Sequence, residues 1–246
     1  MPSQLVCRPE RHLPVAVLRV TGTLDLFTCD ALRQAVRHSL AGQPELLLLN
    51  VSRLRIGDAL GPAALGSLVC QTAEWPDVPI VLCGADPRTV AAISAVPGCG
   101  GLAFTADCDA ALAAAGDEPE PRRIRVRLRP VPDACRQVRQ LVTQACARWQ
   151  RRELAGTAAL IATELVANVV RHAHTTMEFT FGLRDGQLSM TVRDGSRRMP
   201  TPSDPSVNDS GGRGLRLIRD LSEAWGVLPI SDGKVVWSRL TSALMV

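Results

Sequence analysis

Tyrosine is absent from the 246 residues, phenylalanine and tryptophan occur four times each, and lysine occurs once, at Lys234. So few aromatics leave little to stack on single-stranded bases, and the basic half of the chain carries no helix-turn-helix pattern, so direct nucleic-acid binding is not expected. None of the eight cysteines (Cys7, Cys29, Cys70, Cys83, Cys99, Cys108, Cys135, Cys146) forms a Cys-x-x-Cys pair, and no histidine cluster accompanies them. That argues against a disulfide scaffold and against zinc, and for thiols kept in a reducing cytoplasm. The longest apolar run, Ala110–Ala115, is too short to span a bilayer, so neither a signal peptide nor a membrane span is expected. No glycine loop is followed by Gly-Lys-Ser/Thr, which excludes a P-loop. The Gly-Gly-Arg-Gly-Leu run lacks the strand directly before it that a dinucleotide fingerprint requires.

Charge is unevenly spread. Residues 1–121 hold 8 Arg against 13 Asp plus Glu, a net of −5, whereas residues 122–246 hold 19 Arg and Lys234 against 11 acids, a net of +9. Two halves of opposite sign suggest two domains with different partners, and the length accommodates both. The Pro-containing acidic stretch Gly-Asp-Glu-Pro-Glu-Pro reads as the linker, giving domains at 1–115 and 123–246 with residues 116–122 between them.

Both domains read as mixed α/β layers. In the first, Val15–Val20 is an expected strand, followed by a turn over Thr21–Asp25 and a helix capped by Thr28 or Asp30 that ends at Gly42. Expected strands at Glu45–Val51, Pro79–Cys83 and Ala103–Thr105 alternate with helices at Gly61–Ala73, Pro87–Ala95 and Asp109–Ala115. In the second, Arg123–Arg129 alternates arginines with Ile124, Val126 and Leu128, a half-buried strand whose arginines are either solvated or a docking face for an acidic partner. Asp133 is placed to cap a helix to Trp149, and a linker through Gly156 leads into the next one. Met177–Leu183 and Leu188–Arg193 form a hairpin around Arg184-Asp185-Gly186-Gln187. Trp225–Ile230 and Lys234–Leu240 form the last strand pair.

Three pieces carry candidate chemistry. On the helix Ala162–Ala173, Glu164, Asn168 and His172 recur every four residues and form one polar stripe beside Leu160, Ile161, Leu165 and Val169. Burying such groups unpaired costs roughly 2–7 kcal/mol, so a ligand is a natural partner. A magnesium-nucleotide fits: asparagine offers one neutral oxygen to a cation that keeps most of its waters, and glutamate a turn earlier can orient or deprotonate an attacking hydroxyl. The loop Gly211–Leu215 opens an apolar helix, and its bare amides at a helix start suit phosphate. Between them, Asp194 ends a strand at Asp194-Gly195-Ser196. Each piece alone has a plainer reading: a solvated Glu/Asn pair, a surface histidine, an Asp-Gly turn, a flexible loop. Their order and spacing carry the weight.

That order resembles the GHKL ATPase fold of gyrase, heat-shock-90 chaperones and histidine kinases, and within it most closely the anti-sigma factor serine kinases. The resemblance implies ATP and Mg²⁺ as cofactors. Glu164 is then the base, Asn168 the Mg²⁺ ligand, Asp194 the acceptor for the adenine amino group, and Gly195 with Gly211, Gly212, Arg213, Gly214 and Leu215 the remaining nucleotide contacts. Where the family often reads Asp-x-Gly-x-Gly, Ser196 and Arg198 replace the two glycines. Residues 195–210 would form the nucleotide lid, with Arg197 and Arg198 solvated and Arg213 either solvated or on phosphate. The first domain, through TGTLDLFTCDALRQAV, ELLLLNVSRL and IGDALGPAALGSL, looks like a STAS domain, the anti-sigma factor antagonist fold. Its phosphate-accepting serine position is Ala59, after Asp58, and Asn50 stands where an acidic residue usually ends the preceding strand. Asp58 itself serves equally as a plain helix cap. The implied protein is a cytoplasmic serine kinase that phosphorylates a separate STAS antagonist, sequesters a sigma factor and possibly forms a homodimer. The rival is a nucleotide-gated binding module, an anti-sigma factor or scaffold without phosphotransfer.

Overall fold

The computed structural model describes residues 4–58, 61–73, 78–97, 102–117, 122–200 and 213–241. The chain divides into two compact units, Met1–Glu120 and Pro121–Val246, each built on its own five-stranded sheet.

In the first unit the strands β1 (Leu5–Arg11), β2 (Val15–Leu24), β3 (Leu46–Ile56), β4 (Ile80–Cys83) and β5 (Ala103–Thr105) lie in sequence order. β1 pairs antiparallel with β2, and β2 to β5 run parallel. Parallel strands covered by helices read as continuous apolar runs, which explains Leu47, Leu48 and Leu49, all fully buried. The covering helices are α1 (Cys29–Ala41), α2 (Gly61–Ala73), α3 (Pro87–Ser94) and α4 (Cys108–Asp117). Mixed α/β layering is as expected, and α2 has the expected bounds.

Several details differ. β1 was not anticipated, because in its sequence LVCRPER three charged residues and a proline interrupt any strand pattern, and its residues are mostly exposed. β2 runs on through the expected turn to Leu24. The turn falls instead at Asp25, whose carboxylate accepts from the N–H groups of Phe27 and Thr28. Thr28 precedes α1 without capping it, since its hydroxyl donates to the carbonyl of Thr23. Asn50 lies inside β3 rather than at its end, and its Oδ1 accepts from the Ser52 N–H and hydroxyl. Gly116 and Asp117, assigned to the linker, are the last residues of α4.

The cysteine expectation is corrected at one pair: Cys83 and Cys108 form a disulfide, with Cα atoms 5.3 Å apart. The parallel pairing sets Cys83 opposite Thr105, so the cysteine three residues further on, at the start of α4, falls within reach. Short-range spacing cannot show a contact made by strand pairing. Cys7, Cys29, Cys135 and Cys146 are free thiols, and burial pushes Cys7 and Cys146 up to about 11.

In the second unit the sheet order is β6 (Arg122–Leu128), β7 (Met177–Arg184), β8 (Gln187–Asp194), β10 (Gly233–Thr241), β9 (Ala224–Ile230), all antiparallel. One face packs on α5 (Asp133–Arg148), α6 (Ala155–Asn168) and α7 (Arg213–Leu221). Its centre is aromatic: Trp149 stacks on Phe181 with ring centroids 5.1 Å apart, and Phe179 lies beside them. Asp133 begins α5, but its carboxylate binds Arg136 and Gln137 rather than capping. Gly156 lies inside α6, which starts a residue earlier, after a short 3₁₀ turn at Arg152–Leu154. The helical run Arg152–Ala173 is 22 residues long and holds an 18-residue window of mean hydropathy 1.4, long and apolar enough by composition alone to cross a membrane. Ala158, Ile161, Ala162, Leu165 and Val166 of that run belong to the core of this unit.

Candidate functional site

The site is positioned first by the β7–β8 hairpin. Asp185 (φ 48°) and Gly186 (φ 83°) take the left-handed conformations of a tight two-residue turn, fixing the register that ends with Met177 opposite Asp194. Leu188, Met190, Val192 and Asp194 alternate onto the helix-covered face, so the strand delivers a carboxylate where its pattern has placed only apolar groups. Asp194 is 3 % exposed. Its Oδ1 accepts from the Ser196 N–H at 2.7 Å and from the Lys234 ammonium at 2.9 Å. Its Oδ2 is buried and has no hydrogen-bond partner among the described residues. A buried carboxylate oxygen left unpaired costs about 1–3 kcal/mol or more, so the asymmetry marks a place for a donor from outside. The amino group of adenine is such a donor.

Lys234 was not singled out by sequence reasoning. It follows the Ser231-Asp232 turn and Gly233, and β10 pairs it directly with Asp194. The approach is close: a Cβ on Gly233 would stand 1.9 Å from the Asp194 carbonyl oxygen, so only glycine lets the strands meet there. The signal available in the sequence was a solitary lysine directly before the apolar run Val235-Val236-Trp237.

The second part of the site is α6. Ile161 and Leu165 point into the core, which turns Glu164 and Asn168 to its half-buried flank. Against that flank lies the start of α7. A Cβ on Gly214 would be 2.7 Å from Glu164 Oε2 and 3.5 Å from Asn168 Oδ1. The glycine therefore permits the helix start to reach both side chains, joining the loop motif to the Glu/Asn motif. Glu164 Oε2 also accepts from the Arg171 guanidinium at 3.1 Å, a contact the sequence pattern did not suggest.

His172 does not continue the stripe. After Asn168 the helix widens into a π turn, Val169–Ala173, closed by the His174 N–H bonding to the Val169 carbonyl. The wider turn breaks the four-residue recurrence and leaves His172 exposed. Partial burial, then Arg171, Arg198, His174 and Lys234 in turn, hold its imidazole below the ordinary histidine value. Gly195 donates its N–H to Thr175 Oγ1 at 3.1 Å, tying the end of β8 to the chain leaving the π turn. Ser196, where a glycine is usual, supplies the N–H to Asp194 and a carbonyl that accepts from Lys234 at 3.0 Å. The Arg197 guanidinium donates to the Ser231 carbonyl. Leu215 is half-buried against the core. Gly211, Gly212 and the lid from residue 201 lie outside the described residues, as does the side chain of Arg213, whose backbone opens α7.

These groups suit a nucleotide. No cluster of three His, Cys, Asp or Glu able to hold a metal occurs among the described residues. A cation here would rest on the Asn168 oxygen with water and phosphate, as Mg²⁺ tolerates. In the first unit, Ala59 lies outside the described residues. Asp58 acts as a structural carboxylate, accepting from the Gly61 N–H at 2.8 Å and the Leu26 N–H at 3.2 Å.

The second unit thus combines a five-stranded antiparallel sheet with helices on one face, a buried aspartate at a strand end and a glycine helix start against a Glu/Asn pair. Residues 128–239 match the histidine kinase-like ATPase domain family, and the second unit is a domain of that kind. The chain is similar to an anti-sigma factor antagonist from Mycobacterium paratuberculosis, at 23% identity over 48% of this chain and 98% of that one, with a TM-score of 0.37. Similarity to the anti-sigma factor antagonist SpoIIAA in its unphosphorylated form is 18% identity over 47% of this chain and 100% of that one, TM-score 0.37. The histidine kinase domain of the Erythrobacter litoralis EL346 blue-light activated histidine kinase is 26% identical over 36% of this chain and 45% of that one, TM-score 0.29. No curated protein matches the chain.

Proposed function

We propose that the second unit binds Mg-ATP and phosphorylates a serine on a separate STAS antagonist, and that the chain is a cytoplasmic component of a sigma-factor partner switch. The observation that carries this reading is the packing of Gly214 against Glu164 and Asn168, because it sets the phosphate-loop helix beside the two side chains that transfer requires. Asp194 selects the base through Oδ2. Asn168 supplies a neutral oxygen for Mg²⁺, and the amides at the start of α7 serve phosphate, with Gly195 and the residues Gly211–Leu215 as further nucleotide contacts. Bound ATP supplies the phosphoryl group. Glu164 receives the proton of the acceptor serine as that oxygen bonds to phosphorus and the β-phosphate oxygen departs on ADP. Before that step, Glu164 is engaged by Arg171, which must release it or share it.

On this reading the first unit docks without accepting phosphate, since a methyl group at Ala59 offers no oxygen nucleophile. A sigma factor and a second copy of the chain are further partners. The second reading, a nucleotide-gated module without transfer, draws on the Arg171–Glu164 ion pair, which occupies the base. Incubating the full chain with γ-labelled ATP and a panel of serine-bearing STAS proteins separates the two. Label on one of those serines, lost in Glu164→Ala, supports the kinase; tight ATP binding with no label on any partner overturns it.

A further inference from the structure

Lys234 is the one lysine of the chain, and its side chain is 8% exposed against 0% for that of Asp194. A side chain that ordinarily seeks water is held inside by two acceptors, Asp194 Oδ1 at 2.9 Å and the Ser196 carbonyl at 3.0 Å. The ammonium and the Ser196 N–H, at 2.7 Å, both fall on Oδ1, leaving Oδ2 buried with no partner among the described residues. Freely turning carboxylates can offer either oxygen and can accept or, once protonated, donate. Clamped by an ammonium, this one can only accept, from one direction.

We propose that Lys234 is the specificity-determining positioning residue of the nucleotide site: it locks Asp194 as a one-sided acceptor that takes a purine bearing an amino group at position 6 and rejects one bearing a carbonyl there. The inference rests on the ATP-binding reading above and adds the source of base selectivity. Guanine would bring a carbonyl oxygen against Oδ2, acceptor against acceptor. Removing the ammonium while keeping an apolar chain leaves Oδ1 held by the Ser196 N–H alone, so the carboxylate can turn and meet the base from more than one direction, which blurs the distinction between bases. Lys234 touches no phosphate or acceptor serine in this scheme, so its influence is confined to the base.

The test is a cycle on the full chain that pairs Lys234→Met with a change in the ligand. Calorimetric affinities are measured for ATP, for purine riboside triphosphate, which lacks only the 6-amino group, and for GTP. The wild type should favour ATP over the other two by roughly 10–100-fold, the range of a hydrogen bond to a charged group. In Lys234→Met the preference should fall to within about 3-fold, while inorganic tripolyphosphate binding stays unchanged; Lys234→Arg, which keeps the charge, should recover part of the preference. If Lys234→Met weakens all three nucleotides equally, the residue is merely structural and the proposal is overturned. Leaving a buried carboxylate without its counter-charge is costly, so the variant may not fold. The wild type then decides alone. Protein grown with lysine carrying ¹³C only at the ε-carbon gives one methylene signal, which should shift with ATP and stay in place with tripolyphosphate. A signal that ignores ATP while calorimetry shows ATP bound overturns the proposal and spares the ATP reading. No nucleotide binding at all overturns both.

Discussion

The two units use their polar side chains in opposite ways. In the first, carboxylates and amides serve the local backbone. Asp25 accepts from Phe27 and Thr28, Asn50 from Ser52, Asp58 from Gly61 and Leu26, and Asp86 caps α3 through the N–H groups of Arg88 and Thr89. Asp25, Asp58 and Asp86 close a turn or a helix start and Asn50 braces its own strand, which is what a scaffold needs. In the second, Asp194 keeps one buried oxygen unmatched, and Glu164 and Asn168 lie against a glycine that has given up its side chain to let them come close. Polar groups spent on their own backbone indicate fold; polar groups left short of partners indicate a ligand.

The widest separation between the units should come from their aspartates. Asp194→Ala is expected to abolish calorimetric ATP binding by the full chain, while Asp58→Ala leaves it intact. Equal ATP affinity with and without the Asp194 carboxylate would sink the adenine assignment. Next in size is Glu164→Ala, where turnover on an established STAS substrate should fall by roughly 10²–10⁴ with nucleotide affinity near normal, because the group acts only as the hydroxyl attacks. Unchanged turnover removes Glu164 from the base role.

Gly214→Ala sharpens the contrast between packing and function. The added methyl meets the far end of a flexible glutamate, so the melting temperature should barely change, yet displacing that carboxylate by about 1 Å should lower turnover by up to ~10²-fold. A large loss of stability with normal turnover would show that the close approach is only structural. Asp58→Ala should cost the first unit about 1 kcal/mol in chemical denaturation, the usual value of a lost helix-start acceptor.

The smallest effect is the pH dependence of His172. Its folded-state proton affinity is lowered, chiefly by desolvation and then by Arg171, so the unfolded chain protonates first on acidification. Its stability contribution is complete above the ordinary value of 6.5 and is lost as pH falls from there toward the lower folded value. His172→Gln should flatten that acid limb of the denaturation profile slightly; an unchanged limb assigns the slope elsewhere.

Much of this architecture was legible in local chemistry. The hairpin around Asp185-Gly186 and the bounds of α2 follow from turn residues and periodicity, and the Glu164, Asn168 and Gly214 motifs were visible as spacings. What escaped depends on contacts distant in sequence. The strand β1 carries three charged residues and a proline among its seven because it is an exposed edge. The Cys83–Cys108 bond requires β4 and β5 to pair before the two sulfurs are neighbours. The π turn interrupts a recurrence that reads as continuous, and Lys234 acquires its meaning only when β10 sets it opposite Asp194.

That solitary lysine also makes the protein its own clock. Acylating reagents directed at side-chain amines find one target in the whole chain, and it is shut behind an ion pair. Modification can proceed only when the end of β8 parts from the start of β10, so its rate counts those partings as amide exchange does elsewhere. Lys234 thereby converts the parting of these two strands into a simple mass increment, read against time with the native chain and no introduced probe.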